Sequence, residues 1–384
     1  MSYTVKYVIA FLLGFFTLSS LPARAQVGVG PVGADSVQSS LFPALAYDSD
    51  IGLVGGGLFS RIDYTGNAKP FNNYIKSTAL ISTKGMFNFE FEYDQTQTFG
   101  TDIRSNFSLF AYRFKYDYYF GIGNNSTFNE QQFDDDFYFF ESKKIALAYE
   151  GRQPLSMDAN SRLDLLFGIG TKYEIPYVKQ EDSKFSQDLP KGITGGWINA
   201  VSTGLIWENR NSEFDPISGN RAKLKVRAAP EFLLSDYGLI TLESDIRQYF
   251  RLFNWVTVAN RLQARHATGD IPYWERSALG NNETLRGYPL NRFIGNSSIA
   301  YSLEFRKWVF IFPEYQIKLG GHLFTDVGRV FTEQDDWGDL FSDYKQTVGI
   351  GGAMSLFSPD FILRGEAGFS EDMMRIYVGI GYTF

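Results

Sequence analysis

The stretch Leu279-Gly280-Asn281-Asn282-Glu283-Thr284-Leu285-Arg286-Gly287-Tyr288-Pro289 decides how this chain is read. It is rich in Gly and Asn and breaks any strand that enters it. On both sides the pattern alternates, over Val256 to His266 before it and Ser298 to Phe310 after it. One arginine, Arg286, stands in the middle between Leu285 and Gly287-Tyr288. Two strands flanking such a segment form a hairpin with an unusually long loop.

Period-two alternation continues outward in both directions, with little helical periodicity. It predicts strands over 41–48, 51–63, 73–84, 86–97, 102–120, 136–153, 161–178, 194–208, 220–233, 237–251, 254–266, 296–310, 314–331, 345–356, 360–369 and 373–384, sixteen in all. Ile299, Tyr301, Leu303 and Phe305 share one face; Ser298, Ala300, Ser302, Glu304 and Arg306 share the other. Ile376, Val378, Ile380, Tyr382 and Phe384 line one face of the last strand. Charged faces recur, as in Lys223, Lys225 and Arg227, or Thr241, Glu243, Asp245, Arg247 and Arg251. Strands of soluble sandwiches average about 5–6 residues, and these are longer. Lipid outside and a charged, wet interior account for both the length and the charge. The fold class is therefore all-β: a 16-stranded antiparallel transmembrane β-barrel of the outer membrane, spanning residues 41–384.

Composition agrees. Aromatics are 17% of the 384 residues, with 36 Phe and 23 Tyr, while mean hydropathy is slightly negative. Alternating strands with aromatic girdles have this balance. A net charge of −7 speaks against a nucleic-acid partner. Without cysteine there is neither a disulfide scaffold nor a thiolate metal site. Lys6, the apolar run Val8 to Phe16, and Ala23-Arg24-Ala25 before Gln26 read as a signal peptide over 1–25, cleaved between Ala25 and Gln26. Residues 26–40 read as a short periplasmic lead.

Turns after even-numbered strands are mostly short (98–101, 252–253, 311–313, 357–359). Connections after odd ones include the long ones: 121–135, 179–193, 267–295 and 332–344. Short periplasmic turns and long outer loops put both ends of the barrel in the periplasm and the Arg286 loop outside.

Three motifs carry a family resemblance. Gly204 to Gly219 contains Glu208-Asn209-Arg210-Asn211-Ser212-Glu213-Phe214-Asp215-Pro216-Ile217-Ser218-Gly219. Leu285-Arg286-Gly287-Tyr288 is followed by Phe293-Ile294-Gly295-Asn296 and Ser302-Leu303-Glu304-Phe305-Arg306. Leu323-Phe324-Thr325-Asp326-Val327-Gly328-Arg329-Val330 is the third. In order and spacing they resemble the BamA/TamA-like superfamily of outer-membrane barrels, also called the bacterial surface-antigen family. Glu208 and Asn211 stand where that family's first turn has aspartates. The resemblance places the Arg286 loop between strands eleven and twelve and implies acidic partners for it in Glu304 and Asp326. Tyr382 and the terminal aromatic Phe384, on the alternating last strand, look like the signal by which the barrel-assembly machinery recognises its clients. Relatives carry periplasmic repeat domains ahead of the barrel. With only 26–40 there, this chain looks like a barrel-only member.

The implied function is insertion or translocation of outer-membrane or surface proteins. Its partners would be outer-membrane lipid, a periplasmic or outer-membrane protein, and an unfolded client. A passive channel or a surface receptor is the alternative, and a lipid-acting barrel enzyme a weaker one. Inside the barrel a guanidinium needs acceptors, because burying it unpaired is costly. We therefore expect Arg286 to bond Glu304 and Asp326, Gly287 to permit a tight turn, and Tyr288 to pack on the wall. The two histidines, His266 and His322, accompany no nucleophile motif, so no enzyme, cofactor or metal is expected. Asp134-Asp135-Asp136 reads as a solvated loop, with calcium binding the less favoured option. Trp255, Trp308 and Trp337 read as interface anchors.

Overall fold

The computed structural model describes residues 37–65, 71–158, 160–315, 317–356 and 362–384. The signal segment, its Ala25-Gln26 junction, most of the lead and the 357–359 turn lie outside them. The strands are β1 (Val37–Asp48), β2 (Gly52–Asp63), β3 (Asn73–Ser82), β4 (Met86–Gln95), β5 (Arg104–Tyr118), β6 (Phe139–Met157), β7 (Arg162–Tyr177), β8 (Gly196–Glu208) and β9 (Gly219–Ala229). They continue as β10 (Leu239–Leu252), β11 (Val256–Gly269), β12 (Ser277–Leu279), β13 (Phe293–Gly295), β14 (Ser297–Phe312), β15 (Ile317–Phe331), β16 (Lys345–Leu356), β17 (Ile362–Phe369) and β18 (Met374–Ile380). Sixteen of them close an antiparallel barrel in which β11 neighbours β14 directly; β12 and β13 form a separate hairpin. The all-β barrel and its strand count are as the alternation predicts.

Alternation decides which side each residue faces. On β14, Tyr301 and Phe305 are exposed outward while Ser302, Glu304 and Arg306 are buried inward. On β9, Leu224 and Val226 are exposed between the inward cations. The exposed set of Leu147, Ile169, Val201, Leu205, Ile246, Leu262, Leu323 and Ile350 continues this belt around the wall. So extensive an apolar surface is tolerated only against lipid. At Pro154, which has no N–H to donate, the β6–β7 register slips by one residue before Ser156.

The first strand starts at Val37, four residues before the expected boundary, so Val37–Ser40 pair with β2 as part of the wall. The long connections 119–138, 178–195, 270–296 and 332–344 gather at one end. There they bond to one another rather than to solvent: Gly123 N donates to Ile294 O (2.7 Å), Tyr273 N to Lys191 O (2.9 Å) and Asn124 Nδ2 to Asp343 O (2.8 Å). Two one-turn helices, α1 (Glu130–Asp134) and α2 (Lys184–Asp188), lie in this dome. Tyr119, Phe140, Phe185 and Tyr273 pack edge-on and stacked at its centre.

The closing seam is the thinnest part of the wall. β1 and β18 share one register pair, Asp48 opposite Tyr377. Around it Ser49 N donates to Ile376 O (3.1 Å), Ile376 N donates to Ser49 Oγ (3.0 Å), and Arg375 pairs with Asp50 (3.2 Å). Every other neighbouring pair is matched along most of its length, as β1 with β2 from Val37 to Asp48.

Two expectations are corrected here. The last strand does not run to 384: it ends at Ile380, and Gly381, at φ +80°, turns the chain off the wall. Tyr382 and Phe384 therefore do not continue the lipid face but lie inside. Trp308 is not an interface anchor either. Beyond Arg306 on the inward face, its indole donates to Asp215 (3.1 Å) and lies beside Tyr382. Trp255 does sit exposed at the short-turn rim, stacked on Phe253. The side chain of Trp337 lies outside the described residues.

Candidate functional site

The site is the connection 270–296, folded inward and gripped at two points. Its own geometry comes first. Asn281 Oδ1 accepts from Glu283 N (2.7 Å) and Thr284 N (2.9 Å), an Asx turn. Gly280, at φ +100°, and Asn291 close the base through Asn291 N to Gly280 O (3.0 Å). Leu285 packs with Leu279, Phe293, Ala300 and Val330, which fixes the loop on the inner wall of β14 and β15. The next side chain, Arg286, is carried into the lumen.

Arg286 is fully buried. Its Nε and Nη2 donate to the two oxygens of Asp326 at 2.8 Å each, and its backbone N also donates to Asp326 (3.1 Å). Nη1 donates to Glu304 (2.5 Å) and Glu366 (3.1 Å). The ring of Phe324 lies 3.6 Å below the guanidinium carbon. Burial works against the charge of Arg286, but Glu304 and Asp326 outweigh it and hold its pKa well above the ordinary arginine value. A planar fork with five donors suits this cage; a lysine could not fill it.

Around the cage the charges alternate. Glu304 also accepts from Arg306 (2.7 Å), and Glu366 pairs with His322 (2.7 Å) and with Arg364 (3.6 Å). Gly287 takes φ +115° with its backbone against Gly368 and Phe369 of β17. Its N–H donates to the Tyr377 hydroxyl (3.2 Å), and its carbonyl accepts from Ser370 Oγ (2.9 Å). Tyr288 packs edge-on against Phe293, and its hydroxyl donates to Glu371 (3.1 Å).

Thus Arg286, Gly287, Tyr288, Glu304 and Asp326 all meet in one cluster. Glu366 and Phe324 complete it and were not anticipated. Phe324 stands two residues before Asp326 and so shares its inward face; that alternation was the available signal. Glu366 lies on the same sheet face as Arg364, but no local pattern couples β17 to the loop.

The second grip has the opposite sign. Glu275 of the loop is buried against Lys172 of β7, Arg227 of β9 and Arg265 of β11. Burial alone would raise its pKa; Lys172 and Arg227 outweigh that and hold it at about 2. The wall's cations on β7 to β11 and its acids on β14, β15 and β17 therefore pull the loop from opposite sides. It is stretched across the lumen as a plug.

At the other mouth, Glu208 forks onto Arg210 (2.6 and 2.8 Å), and Asn211 Oδ1 accepts from Ile217 N and Ser218 N. The two residues that depart from the aspartates still make a charge pair and a turn cap. His322 spends its Nε2 on Glu366, not on Asp326, and His266 faces outward beside Ser297 (2.7 Å). Among the described residues no cluster of His, Cys, Asp or Glu could hold a metal ion.

A closed barrel, an apolar outer belt and a salt-bridged lumen plug define a bacterial outer-membrane β-barrel. Residues 71–384 match the Omp85 superfamily domain, and the chain belongs to that superfamily. Among solved structures it is similar to BamA of Haemophilus ducreyi lacking POTRA domains 1–3, at TM-score 0.59 and 14% identity over 90% of this chain and 70% of that one. It is also similar to CdiB of Escherichia coli, at TM-score 0.58 and 11% identity over 92% and 69%. A third similar fold is CdiB of Acinetobacter baumannii, at TM-score 0.52 and 11% identity over 91% and 66%. At these identities the likeness is one of fold. A search of curated protein sequences matches none.

Proposed function

We propose that this protein is an outer-membrane insertion or translocation barrel, acting on outer-membrane or surface proteins together with a periplasmic or outer-membrane partner protein. The observation that carries this reading is the contrast between lumen and seam. The lumen is crossed by a plug held at both ends, which is a poor design for a passive solute channel. The seam rests on a single register pair, so the wall itself is the easier route for a strand-forming client. The family membership supports the same reading. His322 is buried on Glu366 and His266 faces outward beside Ser297, an arrangement that gives no support to a lipid-acting enzyme.

On this reading residues 1–25 are the exported chain's leader, cut between Ala25 and Gln26. Tyr382 and Phe384 serve as an assembly signal before the barrel closes, while they are still extended and readable.

The test uses cysteines at Tyr47 and Val378, next to the Asp48–Tyr377 pair, in a chain that has no thiols of its own. Oxidation should stop the insertion of a reporter barrel into vesicles holding the purified protein, and reductant should restore it. Equal insertion by locked and unlocked protein would sink the proposal, as would failure of any partner or client to co-purify from the native membrane.

A further inference from the structure

The apolar belt is broken at one place on the outside of the wall. Even-numbered side chains of β9, β10 and β11 point outward, as do odd-numbered ones of β14 and β15. Strand pairing sets Leu224, Ser244, Ala264 and Ile299 in one row across four strands. The next row, nearer the dome, runs Leu242, His266, Ser297 and Phe331. Ser244 and Ala264 are small and stand between Leu224 and Ile299, so the belt sinks there into a groove of about 520 Å³. Small-molecule sites span about 300–1,000 Å³.

The dome-side edge of the groove is polar. Arg329, on the outward face of β15, is buried because the connection 332–344 folds down over it. Its guanidinium donates to Ser342 O (2.6 Å) and Asp335 (2.6 Å), with Asp339 and Asp343 at 3.8 and 3.6 Å. This brings Asp335, Asp336 and Leu340 to the groove. Asp336 caps the turn Trp337–Phe341 by accepting from Gly338 N (2.8 Å). Asp335, Asp336, Asp339 and Asp343 share the one arginine, so this edge is acidic. Along the same edge His266 Nδ1 lies 2.7 Å from Ser297 Oγ, which leaves the imidazole Nε2 for a ligand. Ionisable side chains are costly against hydrocarbon, and here they mark the level of a headgroup.

We propose that this groove is a specific site for a lipid whose headgroup carries a primary ammonium, of the phosphatidylethanolamine type. One acyl chain lies over Ser244 and Ala264, between Leu224 and Ile299. The ammonium meets Asp336. His266 accepts from Ser297 at Nδ1 and donates from Nε2 to the phosphodiester. Two features choose this occupant. The groove is continuous with the lipid belt, which supplies the chain, and the acidic edge attracts an ammonium while repelling a head of net negative charge. The site needs only the barrel in its membrane and does not depend on the insertion reading.

The experiment is native mass spectrometry of the folded protein released from detergent after incubation with dioleoyl phosphatidylethanolamine or dioleoyl phosphatidylglycerol. The chains are identical, and only one head carries an ammonium. The wild type should retain one ethanolamine lipid, with about tenfold preference over the glycerol lipid. Ala264→Leu and Ser244→Leu fill the groove from two strands with side chains that a lipid-facing position tolerates. Each, once its fold is verified by unheated gel mobility, should reduce that retention about tenfold. Val201→Leu, in the belt on β8 and outside the groove, should change nothing. Asp336→Asn keeps a capping residue but removes the charge, and should bring the two lipids to equal retention. Equal retention of the two lipids by the wild type, preference for the glycerol lipid, or full retention by the folded groove-filling variants would overturn the site. So would a dimer that those variants dissolve, which would make a second copy of the chain the occupant.

Discussion

Arg286 and Asp326 form a fork-on-fork pair, two N–H groups on two carboxylate oxygens at 2.8 Å each, sealed from solvent and 40 residues apart in the chain. Such a pair sets orientation as well as distance. With Glu304 and Glu366 it makes three strands of the wall share one loop residue.

Breaking the pair leaves uncompensated charge. Asp326→Asn should cost about 3–5 kcal/mol, the usual penalty for removing one partner of a buried ion pair. Arg286→Lys should cost nearly as much, since an ammonium cannot reach three carboxylates at once. Guanidinium-chloride unfolding of the refolded barrel in detergent would show the loss; midpoints unchanged from wild type would refute the cage.

The plug's second grip should be pH-dependent, and its sign is set. Glu275 has a folded pKa of about 2, below its ordinary 4.5. Its contribution is complete above 4.5 and falls away as pH drops toward 2. Protease nicking of the 270–296 segment should therefore increase over that window in the wild type. Glu275→Gln should be nicked more readily at neutral pH, with that component of the pH dependence removed. Identical profiles would mean that Lys172, Arg227 and Arg265 do not hold the loop.

Gly368 supplies a packing test without charge. A Cβ there would lie 2.6 Å from Arg286 O and 2.8 Å from Gly287 N. Gly368→Ala should destabilise by about 1–3 kcal/mol through overpacking. Gly365, on the same strand with no atom within 4 Å of an added Cβ, is the control, and Gly365→Ala should cost far less. Equal melting shifts for the two would show that the loop does not press on β17.

The seam carries one buried ion pair of its own, Arg375 with Asp50 at 3.2 Å. Asp50→Ala should loosen the dome end of β1 against β18. Faster amide exchange at Ile376, whose N–H is bonded to Ser49, would report it. Unaltered exchange there would mean that the pair does not hold the seam.

Much of this was legible in the residues. Strict alternation with long strands gave the barrel, because only lipid on one side and water on the other reward that pattern. Arg286, Glu304 and Asp326 were legible because each sits in a recognisable local motif on a known face. Glu366 and Glu275 were not. Their partners come from strands distant in sequence, and nothing local distinguishes a caged acid from a solvated one. The inward turn of the last residues was hidden for a different reason. Ile376, Val378, Ile380, Tyr382 and Phe384 keep perfect alternation, so periodicity carries the strand straight through Gly381. Only its positive φ and the docking contacts of Thr383 and Phe384 end it. Trp308 was misread likewise: an aromatic near a strand end suits a girdle, but parity with Arg306 puts it inside.

The account depends most on the loop crossing and closing the lumen. Planar-bilayer conductance of the wild type beside an Arg286→Ala, Glu275→Gln double variant tests this directly. The wild type should show low, flickering conductance, and the double variant larger and longer openings. A steady open pore in the wild type, or no difference between the two, would contradict it.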